Sequence, residues 1–337
     1  MVSIDEVARK AGLSTATVSR ALSGRGYVST SSREKVHLAA EELGYVVSSR
    51  ASSLASGRTR NIGVVVPFLD RWFFSTVLSG VSSALMRHGY DITLYNITAD
   101  QDVRKDVFET ALRRQRVDAV IAVSIELNEH ETARLLALGL PVIAIGGPNP
   151  RLDTLTADDG ALAQLATEHL LTLGHTEIAH IGASPEFDLD FHIPTNRRLG
   201  FETALAGAGI TPNPAFLAPS DFTVEGGYRA AKQLLGRPGP RPTAVFAASD
   251  EMAIGAVMAA RDLGYRVPED ISVIGIDGHE LGEFFQLTTV DQFPLAQGER
   301  AAEAVLAKLE ATNEPAAHAA LPFELIVRGT TARPQEK

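Results

Sequence analysis

Three segments of this 337-residue chain occur twice, in the same order and at similar separations. Gly80-Val-Ser-Ser-Ala84-Leu85-x-x-x-Gly89 is matched by Gly200-Phe-Glu-Thr-Ala204-Leu205-x-x-x-Gly209. AVIAVS at 119–124 is matched by AVFAAS at 244–249, and VIAIGG at 142–147 by VIGIDG at 273–278. The offsets are 120, 125 and 131 residues. A single match is within chance, but three in series predict two lobes of one design. Around them, apolar runs at 61–67, 90–97 and 117–124 alternate with helical patterns at 75–88 and 103–114. Continuous apolar strands alternating with helices predict parallel sheets covered on both faces, an α/β body.

Composition agrees. Apolar residues make up 45% and charged residues 21%, so buried cores are expected and wholesale disorder is not. No run approaches the roughly 18 to 20 apolar residues that span a bilayer. Asp5, Glu6, Arg9 and Lys10 break up the first twenty residues, unlike a signal peptide. The absence of cysteine removes disulfides, thiol catalysis and cysteine metal sites together. The expectation is a cytoplasmic protein with no membrane segment, no cofactor and no metal site.

Net charge is −10, but it is unevenly spread. Residues 1–60 hold nine Lys/Arg against five Asp/Glu, while the remainder holds 22 against 36. A basic head on an acidic body confines contact with a polyanion to the head. There, Ser3 and Glu6 form a capping-box pattern, and Ile4, Val7, Ala8 and Ala11 make one apolar helical face that ends at Gly12. Ser14 can cap a second helix with Val18, Ala21 and Leu22 inward and Thr15, Ala16, Ser19 and Arg20 on the other side. Ser31 and Glu34 repeat the capping box before a third helix that closes at Gly44.

Two helices joined by a short glycine turn form a helix-turn-helix, whose second helix enters the major groove of duplex DNA. Arg20 can pair with guanine through two hydrogen bonds, Thr15 and Ser19 offer hydroxyls, and Ala16 allows close approach. A plain three-helix bundle with a solvated polar face has the same pattern. The next segment, VVSSRASSLASGRTR at 46–60, has linker composition, with Leu54 as its one large apolar residue after position 47. Leu54 suits either a hinge that folds on DNA and wedges into the minor groove, or a plain linker resting on the body.

IDEVARKAGLSTATVSRALSG, then GYV, then A-x-x-L at Ala51 to Leu54, resembles the head of the lactose-repressor/galactose-repressor family of bacterial transcription regulators. The resemblance runs from Ile4 to about Gly329. It implies a helix-turn-helix domain at 1–46, a hinge at 47–60 and a two-lobed, periplasmic-binding-protein-like effector domain at 61–337. Lobe 1 would take about 61–154 plus 283–320, and lobe 2 about 155–282 plus 321–330. Ser14, Thr15, Ala16, Ser19 and Arg20 would face operator DNA, Ser29 and Ser32 would hold phosphates, and Ala51 and Leu54 would lie in the hinge helix. The chain departs from the family's hinge pattern at Val47, Ser48 and Ser52, where proline, asparagine and arginine are usual.

Ligands of open α/β sheets bind beyond the carboxyl ends of the strands. That places Asp70, Trp72 and Phe73 after the first strand, Ser124 after the third, and Phe222, Asp250 and Asp277 at strand ends of lobe 2. Phe73 and Phe74 equally suit a helix start in the core, Asp250 a helix cap, and Asp277 an arginine partner. Asp277 stands where the matched segment of lobe 1 has Gly146. Resemblance adds Arg197, through NRRLGF, as an effector contact, and supports Asp277 through GIDG. The loop Gly182 to Asn196 carries Asp188, Asp190 and His192. With no leucine heptad after Arg328, a two-fold homodimer is expected rather than a tetramer.

No hydrolase, zincin or P-loop signature is present, so an enzyme is not expected. Aromatic faces and carboxylates favour a sugar effector that releases the repressor from its operator. A co-repressor-type regulator that binds a purine, or one controlled by a partner protein, is the alternative.

Overall fold

The computed structural model describes residues 2–23, 26–45, 58–97, 101–114, 116–183, 191–310 and 318–335. The chain divides into two compact units, Met1–Arg60 and Asn61–Lys337. Ala51 and Leu54, the departures at Val47, Ser48 and Ser52, and the loop residues Asp188 and Asp190 lie outside the described residues.

The head holds α1 (Ile4–Ala11), α2 (Thr15–Ser23) and α3 (Thr30–Leu43). Ser3 accepts from the Glu6 N–H while the Glu6 carboxylate accepts from the Ser3 N–H, so the capping box forms as expected. Gly12 turns left-handed at φ 67° to end α1. Val7, Ala8, Val18, Ala21, Val36, Ala39 and Ala40 form its small core. The cap of α3 differs from the sequence reading: Ser29, not Ser31, accepts from the Ser32 N–H, and the helix starts one residue before Ser31. In a run of four neighbouring hydroxyl residues the chain's entry angle decides which one caps.

The body contains two six-stranded sheets. One has the order β2 (Asp91–Asn96), β1 (Asn61–Val66), β3 (Ala119–Val123), β4 (Val142–Gly146), β5 (Asp153–Thr156), β11 (His318–Ala320). The other has the order β7 (Leu217–Ser220), β6 (Ile178–Ala183), β8 (Ala244–Ala247), β9 (Ser272–Asp277), β10 (Thr288–Asp291), β12 (Glu324–Ile326). All pairings are parallel except β10 with β12. Matching the two orders position by position pairs β3 with β8 and β4 with β9, the elements that carry two of the sequence matches.

The third match lies on α4 (Trp72–Arg87) and, beyond α5 (Gln101–Asp106), α6 (Glu129–Leu136) and α7 (Asp159–Thr172), on α8 (Ile193–Gly207). Gly80 of α4 packs under α12 (Pro294–Glu310), where an added Cβ would lie 2.0 Å from the Leu295 carbonyl oxygen. Gly200 of α8 packs under α7 in the same way, with its Cβ 2.2 Å from the Gly160 carbonyl oxygen. The matched glycines therefore mark close helix crossings on the two sheets. α9 (Val224–Gly236) and α10 (Asp250–Asp262) cover the second face of sheet two, whose core includes Phe216, Leu234, Met252 and Val257, and the short α11 (Gly282–Phe285) follows β9.

The chain crosses between lobes later than expected. β10 pairs with β9, and Leu287 is buried in the core of lobe 2, so residues 283–291 belong to lobe 2. Only with α12, whose Ala301, Ala302 and Val305 pack under sheet one, does the chain return to lobe 1. The first crossing follows β5 at Thr156. The helix expected at 103–114 begins as α5 at Gln101 and widens into a π-type turn at Val107–Ala111 and a 3-10 turn at Leu112–Arg114.

Candidate functional site

The head exposes one polar helical face. Ser14, Thr15, Ala16, Ser19 and Arg20 are all exposed, while Val18, among them in sequence, and Ala21, next after Arg20, are buried. The Ser14 hydroxyl accepts from the Thr17 N–H at 3.2 Å, so this serine caps α2 as well as lying on the face. Arg20 Nε donates to the Ala16 carbonyl at 3.2 Å, which lays the side chain back along its own helix. Ser29 and Ser32 meet at the amino terminus of α3, hydroxyl to hydroxyl at 2.9 Å, where backbone N–H groups favour an anion.

In the body, the carboxyl ends of both sheets meet at a cavity of about 150 Å³. Pro67, Phe68, Phe73 and Phe74 wall it from lobe 1, with Ser124 and Gly146 at the ends of β3 and β4. Lobe 2 contributes Pro194 and Arg197 of α8, Phe222 after β7, Ser249 after β8 and Asp277 at the end of β9. Asp159, Gln292 and Gln297 enter from the segments that cross between lobes. Thus Phe73, Ser124, Arg197, Phe222 and Asp277 come together from positions spread over more than 200 residues of sequence.

Arg197 organises the polar end. Its Nε donates to Asp159 at 2.8 Å, one Nη donates to the Ala248 carbonyl, and the same Nη lies 3.7 Å from Asp277. Burial alone would lower the Arg197 pKa, but Asp159 and Asp277 outweigh it and raise it, so the guanidinium stays charged. Asp277 accepts from Gln292 Nε2 at 2.7 Å, and Gln297 Nε2 donates to the Gln292 carbonyl at 2.6 Å. Burial lifts the Asp277 pKa above the usual carboxylate range despite Arg197.

Backbone strain collects here. Three non-glycine lining residues have positive φ: Ser124 at 47°, Phe222 at 59° and Asp277 at 133°. Such conformations cost about 1–3 kcal/mol each and persist where the surroundings enforce them. All three follow or end a strand, where the chain turns sharply into the cavity.

Three sequence candidates sit elsewhere. Asp70 is exposed on the loop before α4 and does not line the cavity. Trp72 opens α4 and stacks on His279 of lobe 2, with ring centroids 4.3 Å apart and planes at 21°, so it bridges the lobes outside the cavity wall. Asp250 is fully buried: its carboxylate accepts from the His279 N–H at 2.8 Å and from the Thr289 hydroxyl at 2.9 Å, behind the cavity. A second bridge forms where the Phe191 N–H donates to Glu126 at 3.0 Å and its ring covers Gly146 and Gly147.

The sequence reading missed Asp159, Glu251, Gln292 and Gln297. The acidic pair Asp158-Asp159 just past a strand was a usable signal for the first. Gln292 ends the run TTVDQ just after β10 and Gln297 lies in the first turns of α12, but no motif of site chemistry marks either residue. His180, by contrast, is a core residue: stacked on Phe201 and Phe246, it is pushed by burial down to about 4 and stays neutral. Among the described residues no helix is long and apolar enough to cross a membrane.

Comparison with known proteins places this geometry. Residues 3–48 match the family described as bacterial regulatory proteins, lacI family, and residues 167–331 match the periplasmic binding protein-like domain. The chain is 33% identical over 317 residues to the HTH-type transcriptional repressor PurR of Aliivibrio fischeri (strain ATCC 700601 / ES114), covering 92% of each. Its fold is similar to the lac repressor dimer bound to operator and the anti-inducer ONPF, with TM-score 0.84 and 27% identity over 98% of this chain and 99% of that one. It is also similar to the complex of the transcriptional regulator CelR with cellobiose, with TM-score 0.70 and 28% identity over 98% of this chain and 100% of that one.

Proposed function

Because the chain belongs to the lacI family of bacterial regulatory proteins, as a DNA-binding transcriptional repressor and not an enzyme, we propose that a small sugar bound between its lobes releases it from operator DNA. The observation that carries this reading is the cavity itself. Phe73, Phe74 and Phe222 offer aromatic faces to the C–H face of a sugar ring, while Arg197, Asp277 and Gln292 form a polar end suited to hydroxyls. The free space of about 150 Å³ suits one ring. The cellobiose carried by the similar CelR supports a carbohydrate.

The regulatory step follows from where the contacts fall. An effector that touches Arg197 and Asp277 of lobe 2 together with Phe73 of lobe 1 binds the closed arrangement better than the open one. Only that differential affinity can shift the lobes and, through the hinge at 47–60, the paired heads of a homodimer. Ser14, Thr15, Ala16, Ser19 and Arg20 face the operator in the major groove, with Ser29 and Ser32 toward the phosphates and Ala51 and Leu54 in the hinge.

A thermal-shift screen of the full chain against sugars and nucleobases tests the effector half. A sugar that raises Tm and weakens operator binding supports the reading. A purine that tightens binding reverses the regulatory sign, and a screen with no hit moves control to a partner protein. Arg20→Ala tests the operator half: it should cost about 1–3 kcal/mol of specific binding and spare nonspecific binding. Unchanged operator selection would remove Arg20 from the recognition face.

A further inference from the structure

We propose, on the reading above that closure of the cleft on a sugar releases DNA, that Trp72 and His279 form a clasp between the lobes. The pair sets the balance of closed and open arrangements, and through it both effector affinity and the grip on operator. Asp250 is its positioning residue.

Each partner stands beside a cavity residue of its own lobe. Trp72 opens α4 immediately before Phe73, and His279 lies two residues after Asp277. Their rings stack with centroids 4.3 Å apart and planes at 21°. Trp72 is half-buried and His279 is buried. Lobe 2 holds the imidazole in one pose. The His279 N–H donates to the buried Asp250 carboxylate at 2.8 Å, and the ring Nδ1 accepts from the Leu281 N–H at 3.0 Å. The Thr289 hydroxyl donates to the same Asp250 oxygen at 2.9 Å and accepts from the Gly278 N–H at 3.3 Å. Asp250 therefore pins residues 277–279 as one piece, with the Asp277 carboxylate in the cavity and the His279 ring against lobe 1.

Any opening that draws Phe73 away from Asp277 also draws Trp72 off His279, because each pair of neighbours moves with its own lobe. Contact between stacked rings decays within a few ångströms, so a small opening forfeits it. The stack thus weights closed over open by about threefold to tenfold.

Linkage dictates how that weight shows. Losing the clasp multiplies the open-to-closed ratio by a single factor. A sugar that takes the closed arrangement then binds more weakly, and operator, which takes the open one, binds more tightly. The two fold-changes multiply to that factor whatever the starting ratio. Damage to the fold would weaken both.

The test uses the full-length protein, operator duplex and a sugar that raises its Tm. In His279→Ala the sugar should bind more weakly and operator more tightly, the two fold-changes multiplying to about three to ten. His279→Phe keeps a ring against Trp72 and should return both affinities to within about twofold of wild type. Trp72 is the only tryptophan in the chain, so its fluorescence reads the clasp. Sugar should shield it from acrylamide more in the wild type than in His279→Ala. Both affinities moving the same way, neither moving, equal shielding, or His279→Phe behaving like His279→Ala overturns the proposal and leaves the effector site standing. If no sugar binds, the sugar-effector reading falls and takes this proposal with it.

Discussion

The ends of β4 and β9 follow almost the same path and do different work. Gly146 closes β4 at φ 126°, and Asp277 closes β9 at φ 133°. At Gly146 the glycine is what the geometry asks for: an added Cβ would lie 2.8 Å from the Phe191 ring, which packs across from lobe 2. At Asp277 an L side chain takes the same strained backbone and sets a carboxylate beside Arg197 and Gln292. Lobe 1 uses the turn to let the lobes touch, and lobe 2 uses it to place chemistry. Repeated architecture thus exposes function where one copy carries a side chain that the backbone alone would reject.

Substitutions can break or sharpen that contrast. The largest effect on folding should come from Gly80→Ala and Gly200→Ala, which force the α4–α12 and α7–α8 crossings apart. Each should cost about 3 kcal/mol in denaturant titrations, and similar losses in both lobes would support their equivalence. A negligible cost at either site would break it. Asp277→Gly gives lobe 2 the residue of lobe 1. Effector affinity should fall about a hundredfold by calorimetry while Tm stays at or above wild type, because strain and a buried carboxylate leave together. Undiminished binding would remove Asp277 from the site.

Gly146→Ala makes the reverse change and should cost about 1–3 kcal/mol through the strained φ and the Phe191 contact. A neutral result would mean the contact gives way freely. The smallest effect concerns pH. Burial pushes Glu251 up to about 7 from 4.5, so the fold favours its protonated form. Its contribution is complete below pH 4.5 and is lost as pH rises through 7. Tm of the wild type should therefore fall between pH 5 and 8, and Glu251→Gln should fall about 2 °C less. Equal slopes for the two proteins would contradict the burial argument.

The fold was readable where local pattern and topology agree. The apolar runs at 61–67, 90–97 and 117–124 became β1, β2 and β3, and the ordered matches landed on equivalent elements because packing glycines and buried strands repeat with the architecture. Gly146 against Asp277 was visible for the same reason. Residues 283–291 were misplaced because a short strand such as Thr288–Asp291 reveals its sheet only through its partner, β9. Asp159, Gln292 and Gln297 stayed hidden because crossing segments bring them to the cavity without a motif of site chemistry. Asp250 was readable as a strand-end acid, but its burial behind His279 depends on β9 and β10 together. Trp72 was readable as an aromatic near the cleft, while its stacking partner lies 207 positions away.

In the proposed function, occupancy of the interlobe cavity controls the grip on DNA. Operator affinity of the full-length protein, measured with and without a sugar that raises its Tm, tests this most directly. The account predicts at least tenfold weaker operator binding with the sugar present, and loss of that effect in Asp277→Gly. Operator affinity that ignores the bound sugar, or a response that survives in Asp277→Gly, would contradict it.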